Sequence, residues 1–451
     1  MSFLEATVTG EASSVPQDRA DSGGCPAGGF GRRSVLQGVA AAGLAGVGGN
    51  LLGSGNRLGK GARPNGVAVE TAAAAGSTYP FYGQYQSGII TPPPYTRQAF
   101  ATYASFNVTA ANRSELTDLF HTLTSRAAAL TAGGTAPSAP ASAPPPDNGI
   151  VGPQIQADGL TVTLSVGASL FDGRYGLASR KPVQLVTMEP FAHDDLDPSI
   201  SDGDLLVQLC ANHSDTAVHA LVDICSNTSG ALQTAWTVNG FTNPPRPVGI
   251  ARDWFGFKDG IAQPDTTSIA QNNQYVWAQP NSGEPAWAAN GSYHVVRIVQ
   301  FDVQKWQGVP VAEQERIFGR QKTSGAPTYA PDPNADDLYD PIYTNDPQGL
   351  LTALNSHIRL ANPQTPQTAA TSTILRRSYE IEQIPLTGGG APLLGHAFTC
   401  FQRELNTYIA MQTRLEDEPL VPYISPRGGG YFFALPGVRS NQDYYASGLL
   451  A

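Results

Sequence analysis

The sequence has little charge, few cysteines and no dense cluster of basic residues. Charged residues make up 14% of the 451 residues, and the formal net charge is −10. Because contacts with phosphates need clustered Lys and Arg, this composition argues against nucleic-acid binding. The four cysteines include no CxxC pair, which argues against both a disulfide scaffold and a structural zinc site.

Several catalytic motifs are missing as well. The chain has no HExxH, no GxSxG elbow, no Walker loop and no GxGxxG at a strand–helix junction. Zinc-enzyme, hydrolase and nucleotide-enzyme interpretations therefore have little support. What is present is a hydrophobic fraction of 41% together with 48 Gly and 36 Pro, which predicts large cores joined by many turns and long connections.

The first 78 residues indicate an export signal and a leader segment. Arg32 and Arg33 precede a mildly apolar run at 39–52 and small residues at 72–76, which is the pattern of a twin-arginine signal. The alternatives are a disordered tail with an incidental arginine pair and a transmembrane anchor, although the apolar run is short and rich in Gly. We therefore expect export of a folded chain to the periplasm, the cell envelope or the medium, without a transmembrane anchor.

Residues 79–451 predict an α+β fold. Apolar and alternating segments predict strands at 162–166, 205–211, 293–303, 374–380, 396–401 and 431–435, and helical periodicity predicts helices at 112–129, 216–226, 311–320 and 402–415. An apolar strand followed directly by a helix occurs twice, at 205–226 and at 396–415. This repetition predicts two ferredoxin-like domains, at 79–250 and 251–451, each an antiparallel sheet with packed helices.

Two of these elements carry expectations about burial. The strand at 162–166 alternates apolar residues with Thr and Ser, which predicts that one face is buried and the other exposed. In the helix at 216–226 we expect His219 in solvent, opposite a buried apolar stripe made of Val218, Leu221, Val222 and Cys225.

Two segments hold single candidate residues. His357 follows a long loop at 324–349, and long loops in compact proteins are usually functional or disordered, although a lone His is more often structural than a ligand. Asp259 lies between Gly256 and Gly260 in an otherwise apolar run. Apolar surroundings would raise the pKa of this carboxyl and suit it to proton transfer at acidic pH, whereas the alternative is an ordinary turn.

The third candidate segment is the arginine pair Arg376-Arg377, which lies in an apolar strand. Strand alternation sends the two side chains to opposite faces. One of them therefore points inward unless the sheet has an open face, and a buried guanidinium needs an anion or a polar oxygen as its partner.

Together these segments resemble the dye-decolourising (DyP-type) haem peroxidases, and more closely the periplasmic deferrochelatase/peroxidases of bacterial ferrous-iron uptake systems. The resemblance covers nearly all of residues 80–451. It rests on the segments GDLLVQLCAN (203–212), GFKDG (256–260), IFGR (317–320), SHIRLANP (356–363), LRR (375–377) and GGGYFFALPG (428–437). The combination in this order is highly specific, although each segment alone is not.

The resemblance implies one haem b per chain, held mainly by the second domain. It implies that His357 is the proximal ligand of the iron, and that Asp259 and Arg376 line the distal side, where peroxide binds. Arg376 is taken as the distal arginine in preference to Arg377. The resemblance also implies contacts with the haem from Gly260, Ile261, Ala262, Asn362, Pro363 and Gln364.

One position departs from the pattern of the family. The relatives carry Arg after the Pro of this segment, whereas this chain has Gln364. If that Arg meets a haem propionate, another cation must do so here, and Arg359 and Arg297 are the candidates.

We therefore expect a haem-dependent peroxidase that reduces hydrogen peroxide and oxidises dyes or other organic reductants. The alternatives are a deferrochelatase that releases iron from haem with the porphyrin intact, and a non-catalytic haem or iron carrier. An iron-uptake permease and a second copy of the chain are the expected partners. Surface aromatics would carry electrons to large dyes, with Trp254 and Trp306 as candidates, and the acidic loop around Asp346 is expected to be solvated rather than to bind iron.

Overall fold

The computed structural model describes residues 78–91, 96–246, 249–330, 343–383 and 393–451. Arg32, Arg33 and the rest of the expected signal lie outside these residues, and so does most of the acidic loop, at 331–342. Within the described ranges, no helix is both long enough and apolar enough to cross a membrane.

Strands and helices alternate along the chain, and the α+β prediction is confirmed. In the described ranges the strands are β1 (Phe100–Val108), β2 (Gly134–Thr135), β3 (Gln154–Ile155), β4 (Thr161–Gly167), β5 (Leu205–Ala211), β6 (Leu232–Phe241), β7 (Ser292–Phe301), β8 (Leu375–Arg376), β9 (Tyr379–Gln383), β10 (Leu393–Gln402) and β11 (Ile424–Ala434). The helices there are α1 (Arg113–Ala132), α2 (Ser214–Asn227), α3 (Ile269–Tyr275), α4 (Val303–Gln307), α5 (Val311–Phe318), α6 (His357–Ala361), α7 (Leu405–Leu415) and α8 (Ser447–Leu450).

The main sheet has the strand order β7-β11-β4-β5-β1-β6-β9-β10-β8, and its paired strands are antiparallel. Because β7 also pairs with β10, eight of the strands close into a ring. The two halves of the sequence meet where β4 pairs with β11 and where β6 pairs with β9. The division into domains at residue 250 stays a prediction.

Alternation along the strands sends side chains into two separate cores. In β5, Leu205, Val207 and Leu209 belong to the core that contains α1, α2 and α7, whereas Leu206 and Cys210 belong to a second core. The second core collects side chains from seven strands of the ring, including Tyr103 on β1 and Tyr379 on β9. Since β5 is buried on both faces, its sequence is apolar at nearly every position.

The strand predicted to be half-buried, β4, is buried along its whole length. Its polar residues are hydrogen-bonded inside the protein: the hydroxyl of Thr163 donates to the carbonyl of Ser87 at 2.9 Å, and Ser165 Oγ lies 2.9 Å from His294 Nδ1. The alternating pattern therefore marks a polar interior here, and the prediction of an exposed face was wrong.

The predicted buried stripe of α2 is also wrong. Val218 and Val222 are more than a third exposed, at 37% and 36%, whereas His219 is 1% exposed. The buried face includes Ala217, Ala220 and Ile224 in addition to His219. His219 is accommodated because its Nδ1 lies 2.7 Å from the side-chain oxygen of Asn148, a residue on the loop between β2 and β3.

The single strand predicted at 374–380 is interrupted after Arg376. The backbone N–H of Arg377 donates to the carbonyl of Thr399, and the N–H of Thr399 donates to the hydroxyl of Ser378, at 2.7 and 3.2 Å. Regular pairing with β10 stops at this point and resumes at Tyr379. The interruption leaves Arg376 at the end of the short strand β8.

Candidate active site

The turn at 256–260 positions Asp259. Gly256 and Gly260 have φ values of +84° and +98°, a region of backbone conformation that glycine adopts without strain. The N–H of Asp259 donates to the carbonyl of Ala251 at 3.1 Å, and Arg252 forms an antiparallel bridge with Lys258. The two glycines of GFKDG therefore allow the chain to double back and fix the backbone that presents the carboxylate.

Arg376 and Asp259 form an ion pair. Arg376 Nη1 donates to Asp259 Oδ1 at 2.7 Å, and the two side chains are 22% and 30% exposed. The amide of Gln263 closes the contact between the turn and β8, because it accepts from the N–H of Arg376 at 2.9 Å and donates to its carbonyl at 2.8 Å. Asp259 and Arg376 lie 117 positions apart in the sequence. They are held together both by their ion pair and by the hydrogen bonds of Gln263 to the backbone of Arg376.

Arg377 points the other way and is only 4% exposed. Its guanidinium donates to the side-chain oxygens of Thr91 and Gln98. It is therefore a structural cation, and the geometry favours Arg376 as the arginine that accompanies Asp259.

The expectation of a raised pKa for Asp259 was wrong. Burial alone raises the pKa of this carboxyl, but the positive charges of Arg376, His396 and Arg97 outweigh burial and hold the pKa below its ordinary value. Asp259 therefore stays ionised at acidic pH values at which an unpaired Asp already takes up a proton.

His357 is the first residue of the short helix α6. The end of α5 packs against it: Phe318 lies with its ring centroid 5.8 Å from that of His357, and Gly319 adopts φ +80°. A Cβ on Gly319 would lie 2.8 Å from both Ser356 Oγ and Ile358 Cγ1. The IFGR segment therefore supports the SHIRLANP segment through close contact.

Glu418 holds the His357 ring. The Oε2 of Glu418 lies 2.7 Å from His357 Nδ1, and the Glu418 side chain is only 4% exposed. Burial lowers the pKa of His357, but the charge and hydrogen bond of Glu418 outweigh burial and raise it. Nε2 of His357 has no hydrogen-bond partner in the part of the chain that the structure describes.

This arrangement suits a metal ligand. A histidine that binds a metal through one ring nitrogen commonly has its other nitrogen held by a carboxylate. The ring of Phe318 joins His357 to the turn that carries Asp259, because its centroid lies 5.8 Å from that of His357 and 4.0 Å from that of Phe257. An imidazole with a free nitrogen, a carboxylate and a guanidinium are thus grouped in one region, and this set fits a haem with its iron on His357.

The other residues expected to contact the haem differ in their exposure and in their hydrogen bonds. Gly260 and Ile261 are partly exposed and Ala262 is exposed, and the carbonyl of Ala262 lies 3.4 Å from Arg376 Nη2. Asn362 instead closes its own turn, because its side chain accepts from the N–H of Gln364 and donates to the carbonyl of Ala369, at 3.0 and 3.3 Å. Pro363 is partly exposed beside it, and Gln364 is exposed with φ +55°.

The two cations suggested as substitutes at Gln364 differ in how fully other groups engage them. Arg359 is 9% exposed and is bound to the side chain and carbonyl of Asp346 and the carbonyl of Thr352. Arg297 is 2% exposed and forms an ion pair with Asp194. Because Arg297 Nη1 has no hydrogen-bond partner in the described ranges, Arg297 stays a predicted propionate partner, whereas the guanidinium of Arg359 is fully engaged by Asp346 and Thr352.

Two expectations about the surface are also corrected. Asp346 is not solvated: it is 5% exposed and accepts from the backbone N–H groups of Leu350 and Thr352 at 2.7 and 2.9 Å. Trp306 is 1% exposed and belongs to a core cluster. Trp254 is partly buried, and its indole N–H donates to the carbonyl of Ile381.

Sequence reasoning missed Glu418 and His396. Glu418 is one of three consecutive acids, and nothing in the order Glu416-Asp417-Glu418 distinguishes the one that turns inward. His396 was recognised only as the beginning of a strand, whereas it lies inside β10 with its Nε2 3.6 Å from Asp259 Oδ2. Because this contact joins segments far apart in the chain, local pattern carries no signal for it.

Comparison with known protein families covers both halves of the chain. Residues 86–242 match the family model described as Dyp-type peroxidase, N-terminal, and residues 250–439 match the model described as Dyp-type peroxidase, C-terminal. Together these matches span most of the sequence.

Curated relatives and solved structures agree with these matches. A deferrochelatase of Yersinia pestis bv. Antiqua is 43% identical over 82% of this chain and 84% of its own length, and one of Escherichia coli O6:K15:H31 is 41% identical over 93% and 96%. A DyP-type peroxidase from Cellulomonas bogoriensis superposes with a TM-score of 0.71 at 27% identity, covering 83% of this chain and 99% of its own. Ferric DtpA from Streptomyces lividans gives 0.72 at 28%, with coverages of 83% and 98%. The chain belongs to the Dyp-type peroxidase family.

Proposed function

We propose that this chain is a haem b-dependent peroxidase, with one haem per chain bound through His357 beside Asp259 and Arg376. The observation that carries the proposal is the pairing of two assemblies in one region: His357 held by Glu418, and Asp259 held by Arg376. A haem carrier needs a ligand for iron but has no use for a fixed carboxylate–guanidinium pair. The pair therefore favours catalysis over carriage.

Asp259 is the proton-transfer group. Peroxide must lose a proton from one oxygen and gain a proton on the other before the O–O bond breaks. The lowered pKa of Asp259 keeps it as a carboxylate that accepts the first proton, and the same group then returns that proton to the departing oxygen. Its backbone is fixed by the glycine-bracketed turn, so the carboxylate needs little reorganisation.

Arg376 has two functions in this scheme. Its Nη1 orients the carboxylate of Asp259, and its remaining N–H groups offer donors to the negative charge that develops on the departing oxygen. Gln263 ties the backbone of Arg376 to the Asp259 turn by two hydrogen bonds, which hold the two groups together.

His357 and Glu418 form the second assembly, which would hold the haem iron. Haem, when bound, supplies the iron and the redox equivalents for cleavage of the O–O bond. Glu418 fixes the tautomer and orientation of His357 and makes its free nitrogen a stronger donor to iron. The partly exposed side chain of His357, 31%, leaves that nitrogen accessible.

The second candidate function is deferrochelatase activity, because the curated relatives at 41–43% identity carry that name. The two functions differ in their products. With peroxide and a dye, a peroxidase bleaches the dye and keeps its haem, whereas a deferrochelatase forms iron-free porphyrin. We expect dye oxidation as the dominant reaction; porphyrin formation under anaerobic conditions, without dye oxidation when peroxide is supplied, would reverse the order of the two functions.

We further propose that the chain is exported by the twin-arginine route and acts in the periplasm, the cell envelope or the medium. The arginine pair at 32–33 supports this proposal, and insertion of haem before export would require a route that carries folded proteins. An iron-uptake permease would be the natural partner if iron release is the physiological role. A homodimer stays a prediction.

A further inference from the structure

We propose that His396 is a positioning residue for Asp259: held by Glu380, it acts as a second cation that fixes the carboxylate and keeps it ionised for reaction with peroxide. The inference rests on the proposed role of Asp259 in proton transfer. It assigns a function to His396 and Glu380, two buried side chains that the scheme above does not use.

The carboxylate of Asp259 has a different cation at each oxygen. Arg376 Nη1 lies 2.7 Å from Oδ1, and His396 Nε2 lies 3.6 Å from Oδ2. The first contact is a hydrogen bond, and the second is an ion-pair distance. Two cations on opposite oxygens restrict rotation of the carboxylate more than one cation does, and both favour its charged form.

His396 is fixed by the sheet and by packing. It lies in β10 with Glu380 as its register partner on β9 and Val299 as its partner on β7. Its ring stacks on Phe301, with centroids 5.9 Å apart and planes inclined by 11°, and its side chain is 9% exposed. Neither the backbone nor the ring can move far from Asp259.

Glu380 favours the charged form of this buried imidazole. Glu380 Oε1 lies 3.1 Å from His396 Nδ1, and the Glu380 side chain is 8% exposed. Neither Glu380 Oε2 nor His396 Nδ1 has a hydrogen-bond partner in the described ranges, so charge at ion-pair distance joins the two side chains, and His396 is a group that compensates the charge of Glu380. A buried carboxylate of this kind needs a cation nearby.

Several charged groups act on this cluster from different elements. Glu380 on β9 and Asp253 and Asp259 on the turn segment face His396, while Arg376 on β8 and Arg97, before β1, act on Asp259. Burial lowers the pKa of His396, but Glu380, Asp259 and Asp253 outweigh burial and raise it. Burial, Glu380 and Asp259 raise the pKa of Asp253 to about 7, so Asp253 adds little negative charge at acidic pH.

The test compares His396→Gln, Glu380→Gln and Asp259→Asn with the wild-type holoprotein. Peroxide-dependent dye oxidation is measured across acidic pH, together with equilibrium binding of cyanide to the ferric protein. Since cyanide binds from its protonated form and leaves a proton on the distal base, its pH dependence reports the ionisation of Asp259 without turnover. The control is His294→Gln, which removes another buried imidazole that makes no contact with Asp259 in the described ranges and whose pKa burial lowers to about 3.

In each pH profile the acid limb is the range in which the signal falls as Asp259 takes up a proton. We expect this limb to move upward by about one pH unit in His396→Gln, since a positive charge has been removed from beside the carboxylate. The limb should stay in place in His294→Gln. An unmoved limb in a His396→Gln protein that keeps its melting temperature and haem content contradicts the inference. If Asp259→Asn keeps full activity, the proposed function of Asp259 fails instead, and the two failures are thereby distinguished.

Glu380→Gln decides the case if His396→Gln does not fold. It keeps the imidazole and removes only its partner, so the titration midpoint of His396, followed by NMR of its ring C–H, should fall. His396→Lys keeps a cation at this position and should return the acid limb to its wild-type position. A midpoint of His396 that is the same with and without Glu380 overturns the inference.

Discussion

The imidazole of His357 is held by one buried carboxylate, that of Glu418, at 2.7 Å. Glu418→Gln keeps the size of the side chain and removes its charge, so His357 becomes a weaker donor to iron. Changes to such a partner typically cost 10–100-fold in metal affinity, and we expect haem affinity to fall by roughly that factor. Haem titration of the apoprotein measures this directly.

Asp417→Asn is the matched control for Glu418→Gln. Asp417 is the adjacent carboxylate, its side chain is 91% exposed, and its contact is with His193. Haem affinity should be unchanged in this variant. Equal losses in the two variants would mean that the segment, rather than the contact between Glu418 and His357, controls binding.

Variants of Asp259 and of Arg376 should differ in how their peroxidase activity depends on pH. Asp259→Asn cannot carry the proton and should lose about 10²–10⁴-fold in turnover with peroxide. In Arg376→Leu the pKa of Asp259 rises because its nearest cation is gone, so the acid limb moves up in addition to a loss of about 10²-fold.

The wild-type limb should lie below pH of about 4, because a carboxyl whose folded pKa is lowered stays ionised until the pH falls through that lower value. Stopped-flow or steady-state measurements of dye oxidation across pH provide the profiles. A wild-type acid limb above the ordinary pKa of Asp would contradict this account of Asp259.

At this scale the sequence identifies residues that belong to a motif and fails for those defined by a distant contact. The motifs predict His357, Asp259 and Arg376, and the roles of these three residues stay predictions. The pKa of Asp259 was misjudged because its cation lies 117 residues away, and Glu418 was missed because its neighbours are also acids. Charge environment is a tertiary property, and residue spacing does not contain it.

Among the elements, the contact between α5 and α6 positions His357. Gly319→Ala places a Cβ 2.8 Å from Ser356 Oγ and Ile358 Cγ1, at a backbone φ of +80° that Ala adopts only with strain. We expect a loss of about 1–3 kcal/mol in the free energy of unfolding, together with weaker haem retention, because the segment that carries His357 is displaced. Thermal unfolding and haem content are the measurements.

Gly308→Ala is the control, since Gly308 ends α4 with φ −76° and its Cβ would lie 3.4 Å from the nearest atom, the carbonyl oxygen of Lys305. Both properties should change little there. If Gly319→Ala melts like wild type and keeps its haem, the contact between α5 and α6 does not support the ligand.

Most of the predicted elements occur, but their exposed faces were harder to predict. Strand β5 was predicted with its correct bounds because it is apolar throughout. Helix α2 was predicted with the wrong face, since a polar loop residue, Asn148, binds Nδ1 of His219 in the interior, while Nε2 has no hydrogen-bond partner in the described ranges. Hydrophobic periodicity assumes that polar residues face water, and it fails where the protein supplies their partners.

For the whole molecule, strand pairing across the ring brings the Asp259 turn, β8, β9 and β10 to one place. The α+β class followed from the order of strands and helices, whereas closure of the sheet depends on pairs such as β6 with β9 that are distant in sequence. Residues that are far apart in the chain, Glu380, His396 and Asp259, therefore become neighbours only through the complete sheet.

The proposed export concerns the whole chain and depends on the arginine pair near its start. Replacing both Arg32 and Arg33 with Lys should keep the protein in the cytoplasm, because the twin-arginine route reads this pair. Fractionation of cells that express each form, with the haem content of each fraction, measures the effect. Undiminished appearance of the mature protein outside the cytoplasm would exclude the route.

The central claim is that His357 binds the haem iron, and the absorption spectrum of His357→Ala tests it most directly. The control is His193→Ala, which removes an imidazole whose side chain is 51% exposed and lies 3.1 Å from Asp417. We predict that His357→Ala loses or strongly shifts the Soret band and retains little haem, while His193→Ala matches the wild type before and after addition of peroxide. A His357→Ala protein with the wild-type Soret band and full haem content would contradict the account.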